Sequence, residues 1–236
     1  MRNILILGLI LIPLLSYSQF DNLKVSILTG PSFGRIGTDN NKISSKGINL
    51  GYKLHIQGEY LLNDRFSITI GLGLSLSQGG SLVFDQGGHL WSESKLSISK
   101  PDSLPNGVKL AYNINYLEFP IGFKMRTNSF GKFRFYAQMP EFSTGIRTKA
   151  RGSILGNNVK STKEQIKKEI QFLNLSWALG LGTEYSVSEK LDLIFGVRFF
   201  QSITDITDDS GRYFDNSKEN SKGILNSLDL RIGVLF

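Results

Sequence analysis

Large apolar residues and small residues alternate strictly along "FSITIGLGLSLS", Phe66 to Ser77. Phe66, Ile68, Ile70, Leu72, Leu74 and Leu76 share one face, and Ser67, Thr69, Gly71, Gly73, Ser75 and Ser77 the other. A period of two is a β-strand with two unlike faces. Seven further segments read the same way. Val25 to Phe33, Gly47 to Leu62, Phe172 to Tyr185, Leu191 to Gln201 and Gly223 to Phe236 each alternate cleanly. Leu110 to Arg126 alternates in two registers: Tyr112, Ile114 and Tyr116, then Leu117, Phe119, Ile121, Phe123 and Met125. That change of parity at Tyr116–Leu117 predicts a β-bulge. Phe133 to Ile146 is the least regular of the eight. Pro31, Pro120 and Pro140 fall within strand-like segments, where each removes a ladder donor and reads as a bulge or a strand rim.

The connections alternate in length. Short turns lie near Asn63-Asp64-Arg65, Thr127 to Lys132 and Ser186 to Lys190, and long polar loops near Arg35 to Lys46, Gln78 to Lys109, Arg147 to Ile170 and Ser202 to Lys222. Eight strands in this order predict an all-β fold: an antiparallel up-and-down transmembrane β-barrel with both termini at the short-turn end. A soluble barrel would turn its apolar face inward and show water the other face, yet that face in the opening stretch carries no charge. With the apolar face toward lipid, the small face leaves room for long polar side chains inside a narrow lumen. By parity the polar interior holds Lys53, His55, Glu59, Glu118, Lys124, Glu184, Asp192, Arg198, Asp229 and Arg231, with Arg134 a further candidate for charge balance. An unpaired charge there costs several kcal/mol, so a mixed set predicts a paired network. The outward sets carry no charge, which at mid-membrane costs about 2–4 kcal/mol. Tyr60, Phe66, Tyr185 and Phe236 fall at the short-turn end, where aromatic rings suit the interface.

The amino terminus changes the picture of charge. "MRNILILGLILIPLLSYSQF" has one early cation, an apolar run from Ile4 to Leu15 and a small-x-small pattern at Ser16-Tyr17-Ser18. This predicts a secretory signal peptide over residues 1–18, cleaved after Ser18, and a barrel domain over 19–236. The formal charge of +7 then meets no nucleic acid, and loss of Arg2 leaves 26 basic against 20 acidic residues, a mature charge of +6. Acidic sugars or lipid headgroups suit such a surface better. The chain has no Cys, which excludes disulfides and thiolate metal sites. No cofactor is expected.

Two segments carry a resemblance. "YLEFPIGFK", Tyr116 to Lys124, resembles the central strand signature of the PorT-like outer-membrane β-barrel proteins of Bacteroidota. "SLDLRIGVLF", Ser227 to Phe236, is similar to the terminal signal read by the barrel-assembly machinery, here Leu230, Ile232, Val234 and Phe236. The Ser16-Tyr17-Ser18-Gln19 ending is similar to that of exported proteins of the same group. The resemblance implies an outer-membrane location and no catalytic residue. The family includes a gliding and secretion accessory protein and many barrels of unassigned role.

His55 reads as a hydrogen-bonded lumen residue, and His89 stands alone in the second long loop. Neither provides the outward Ser–His pair that a lipid-modifying barrel enzyme requires. The second loop carries Phe84 and Trp91, which either pack on extended strand tops or centre a partner-binding surface. "KSTKEQIKKEI" in the third loop is either a solvated face or a contact for anionic lipopolysaccharide. These features point to a non-enzymatic outer-membrane protein acting through its outer loops in envelope structure, adhesion or assistance to secretion. Its expected partners are outer-membrane lipid and lipopolysaccharide, the assembly machinery during insertion, and envelope or secretion proteins. A narrow pore for small solutes, a lipid-modifying enzyme and a soluble ligand carrier are the rivals.

Overall fold

The computed structural model describes residues 22–100 and 103–236, so the expected signal peptide lies outside the described residues. The strands are β1 (Leu23–Thr38), β2 (Ile43–Leu61), β3 (Phe66–Phe84), β4 (Gly88–His89), β5 (Val108–Arg126), β6 (Phe133–Gly156), β7 (Val159–Gln165), β8 (Leu173–Ser188), β9 (Leu191–Ser202), β10 (Arg212–Tyr213) and β11 (Gly223–Leu235). Each of β1, β2, β3, β5, β6, β8, β9 and β11 pairs antiparallel with the next in that order. β11 returns to β1, with Ser26 opposite Leu235 and Thr38 opposite Gly223. The fold is a closed, eight-stranded, up-and-down β-barrel. Closure leaves these strands no free edge, which a membrane-spanning sheet requires. β7 adds to the outer margin of β6, and β4 pairs with β10 across the mouth.

The faces fall as the alternation predicts in the lower half, the end with the short turns and both termini. Ile70 is 65% exposed and Ser67 fully buried. The outward belt is continuous hydrocarbon, including Leu54, Ile56, Phe119, Leu181, Val197 and Ile232. Leu230, Ile232 and Phe236 of the carboxy-terminal segment lie on this belt, with Val234 half-buried.

The strands run well past the membrane. β2, β3 and β5 have 19 residues each and β6 has 24, against roughly 9–11 needed to cross hydrocarbon. The long loops are therefore shorter than the sequence suggests, because strand extends into them. In this upper half the chemistry of the faces inverts. Ile36, Leu82, Val108, Leu110, Tyr112, Ile114 and Ile154 now point inward and are buried.

The expected bulge at Tyr116–Leu117 in β5 is not there. β5 keeps one inward parity throughout: Val108, Leu110, Tyr112, Ile114 and Tyr116, then Glu118, Lys124 and Arg126. Only the medium on each side changes. The extra residues sit in the neighbours, where the register shifts between Ser75 and Gln78 of β3 and opposite Asn115–Tyr116 in β6. Ser77 takes φ 54° there. Of the prolines, Pro140 lies in a bulge between Gln138 and Glu141. Pro31 and Pro120 lie instead in mid-strand, where the ladder to β11 and to β3 skips a step with its register kept. A missing N–H explains that local gap.

Candidate functional site

The lumen of the lower half holds two charge clusters, one above the other. Nearer the turns, Lys124 Nζ lies 2.5 Å from Glu184 Oε1 and 3.3 Å from Glu59 Oε2. Arg126 donates to Glu184 through Nε at 2.7 Å and Nη2 at 2.8 Å, and also pairs with Glu59. Ser67 donates to Glu59 at 2.6 Å. Above them, Lys53 Nζ lies 3.1 Å from Asp229 and 3.9 Å from Glu118. Arg198 bridges Asp229, at 3.0 Å, and Glu141, while Arg231 reaches Glu141 at 3.3 Å and Gln138 at 3.1 Å. His55 Nε2 lies 3.0 Å from Glu118 Oε2.

The small face makes this possible. A Cβ added at Gly73 would lie 1.7 Å from the His55 ring, and one at Gly196 would lie 2.5 Å from the Tyr136 hydroxyl. Long polar side chains on β2 and β6 thus fill space that the glycines vacate.

Nine of the ten interior residues expected from parity are brought together here: Lys53, His55, Glu59, Glu118, Lys124, Glu184, Arg198, Asp229 and Arg231. Asp192 is not. It lies at the turn-end rim, 3.8 Å from Lys24, because β9 reaches its end there. Arg134 also stays outside the cluster, with Nη2 3.3 Å from Ser129 Oγ. Arg126 and Glu141 take their places. The buried set then balances: Lys53, Lys124, Arg126, Arg198 and Arg231 against Glu59, Glu118, Glu141, Glu184 and Asp229. Arg126 shares the parity of Glu118 and Lys124, so its place was legible at the strand's end. Glu141 was hidden by the bulge at Met139–Pro140, which reverses parity in mid-strand.

Over this network sits a dry plug. Phe200 turns its ring face to Lys53 Nζ, 4.2 Å from the ring centroid, and belongs to the apolar cluster that fills the upper lumen. Trp91 lies at its heart, only 2% exposed. Its indole N–H donates to the Tyr112 hydroxyl at 3.2 Å, and the two rings meet edge-on. Phe84 is buried beside it. Of the two readings of Phe84 and Trp91, packing on the extended strand tops is the one the structure shows, and a partner-binding surface centred on them is not: both side chains are buried in the seal of the barrel. Leu90 and Leu104 from one loop and Ile206 and Tyr213 from another join the same cluster. The pairing of His89 with Arg212 and Gly88 with Tyr213 ties the two loops into one cap. "KSTKEQIKKEI" is not a plain solvated face either, since Glu164, Ile166, Glu169 and Ile170 are buried.

A closed eight-stranded barrel with a hydrocarbon belt outside and matched charges inside is built for a bilayer. A profile of the family described as outer membrane protein beta-barrel domain matches residues 11–208. The chain belongs to this family. No curated protein matches it. Among solved structures its fold is similar to Neisserial surface protein A (12% identity over 89% of this chain and 95% of that one, TM-score 0.44). It is also similar to Ail, the attachment invasion locus protein of Yersinia pestis (12%, 91% and 99%, 0.41), and to a major outer membrane protein from Thermus thermophilus (10%, 91% and 98%, 0.39). In outer-membrane barrels generally the short turns belong to the periplasmic side and the longer loops to the outside.

Proposed function

We propose that this outer-membrane barrel is a non-enzymatic, PorT-like protein that acts through its capped outer end in envelope structure, adhesion or assistance to protein secretion. The observation that carries this is the double closure of the lumen: a paired charge network below and an apolar plug above. Filling the bore with side chains leaves the cap and the outer wall as the surfaces available for work. His55 is committed to Glu118 inside the lumen, away from the lipid face where a lipid-modifying enzyme keeps its catalytic base. The signal peptide over residues 1–18 and the terminal segment ending in Phe236 serve export and assembly in this reading.

Photo-crosslinking residues placed at Phe214 and Ile203, exposed on the loops of the capped end, test it in intact cells, with planar-bilayer recordings on the purified chain. Capture of envelope or secretion proteins from the cap, but not from a lipid-facing control at Leu72, is the expected result. Steady single-channel conductance with no capture at the cap would replace it with a pore.

A further inference from the structure

Above the hydrocarbon belt, the outer wall is not smooth. A groove of about 450 Å³ opens across β2, β3, β5 and β6 and is bordered by β7. Its polar lining includes Asn49, Asn113, Asn115, Lys149, Arg151 and Lys163. Four register shifts meet at its edge: Ser45/Ile48 between β2 and β3, Ser75/Gln78 between β3 and β5, Asn115/Tyr116 between β5 and β6, and Gly152/Ile154 between β6 and β7. Bulges at this height bend the wall and re-aim side chains. Ser77 and Lys163, at φ 54° and 63°, both line the groove. A left-handed backbone is uncommon for residues other than glycine.

The electrostatics of the groove are one-sided. Among the described residues, no carboxylate pairs with Lys149, Arg151 or Lys163, although the ten lumen charges a few strand steps below are all matched. Arg151 Nε is shielded from solvent and has no hydrogen-bond partner. An unmatched, partly enclosed guanidinium with two ammonium groups and three amides around it suits a phosphate, which accepts several charge-assisted bonds at once.

Position identifies which phosphate. Directly below the groove the outward residues are Leu76, Leu117 and Ile146, with Leu74, Leu117 and Ile146 in one cross-strand row. A lipid whose acyl chains lie on that row carries its headgroup into the groove. We propose that the groove binds the phosphorylated headgroup of an anionic lipid of the outer leaflet. Lys149, Arg151 and Lys163 bind the phosphate, and Asn113 and Asn115 bind the adjoining polar group. This rests on the reading that the chain is inserted with its capped end outward.

The test uses the full mature chain in phosphatidylcholine nanodiscs doped with diphosphorylated lipid A, with retained lipid counted by native mass spectrometry. The groove variant Lys149→Gln/Arg151→Gln/Lys163→Gln is compared with Lys160→Gln/Lys167→Gln/Lys168→Gln, which removes the same charge from exposed positions outside the groove. Loss of these charged hydrogen bonds is expected to weaken retention about tenfold or more, with the control within about twofold of the parent and inorganic phosphate unable to displace the lipid. Equal retention by parent and groove variant would overturn the site. Equal loss in both variants would reduce it to diffuse charge, and displacement by inorganic phosphate would make it a site for the free ion. Failure of the parent chain to enter the nanodiscs would instead sink the membrane reading on which the site depends.

Discussion

Glu141 lies between two guanidiniums, those of Arg198 and Arg231, and is 1% exposed. Its role is to cancel charge where water cannot. Removing one partner of such a set leaves the others uncompensated, at a cost of about 3–5 kcal/mol. Glu141→Gln should lower the unfolding free energy in lipid vesicles by that order, read from urea titration. Asp192→Asn removes a carboxylate that meets Lys24 in a half-wet rim and should cost only about 0–1 kcal/mol. Equal losses for the two would mean that the lumen is hydrated. Parity in the sequence told which side of the wall most of these residues occupy. It did not pair them, because partners come from strands far apart along the chain, as with Lys53 and Asp229.

At the scale of the element, β5 shows how one unbroken strand serves two environments. Its hydrophobic pattern changes phase at Tyr116–Leu117, and a slipped strand and an exchange of solvents produce the same pattern. The structure decides for the exchange. Below the transition, lipid is outside and charge inside; above it, water is outside and a packed apolar core inside. Nitroxide labels on outward positions of β5 should report this step: oxygen-accessible at Phe119 and Ile121, and accessible to a water-soluble nickel complex at Asn113. A label at Asn113 that reports hydrocarbon would return the bulge to β5. The neighbours carry the bulges because their outward and inward residues must be re-aimed against a strand that stays straight.

The whole molecule is a membrane barrel crowned by a small water-facing barrel with its own dry core. Among the buried carboxyl groups of its cap, outside the bilayer, are Glu169 and Glu219. Burial raises the pKa of each above its ordinary value of 4.5, and Asp208 and Glu93 near Glu169, and Asp209 and Asp205 near Glu219, push the same way. At Glu219 the backbone N–H and the hydroxyl of Ser221 donate to the carboxylate and oppose part of that rise. A carboxyl raised on folding favours the protonated, docked cap. Its contribution is complete below about pH 4.5 and is lost as pH rises through the folded value. Hydrogen exchange in residues 85–100 and 203–222 should therefore be slower at pH 5 than at pH 8, after correction for the intrinsic rate. Glu169→Gln should increase protection at pH 8 and weaken the pH dependence. Unchanged protection across that range would show that the cap does not sense these groups.

The alternation of residues by itself determined the barrel, its strand number, its turn ends and the face that meets lipid. Those properties are local: a period of two and the punctuation between strands carry them. Only the tertiary structure decided that Asp192 stands apart, that Glu141 and Arg126 complete the charge balance, that Trp91 is a seal, and that four register shifts meet at one basic groove. Each of these depends on the register between strands, which places residues distant in the chain at one height. The face of a single strand has no information about that height until its neighbours are paired to it.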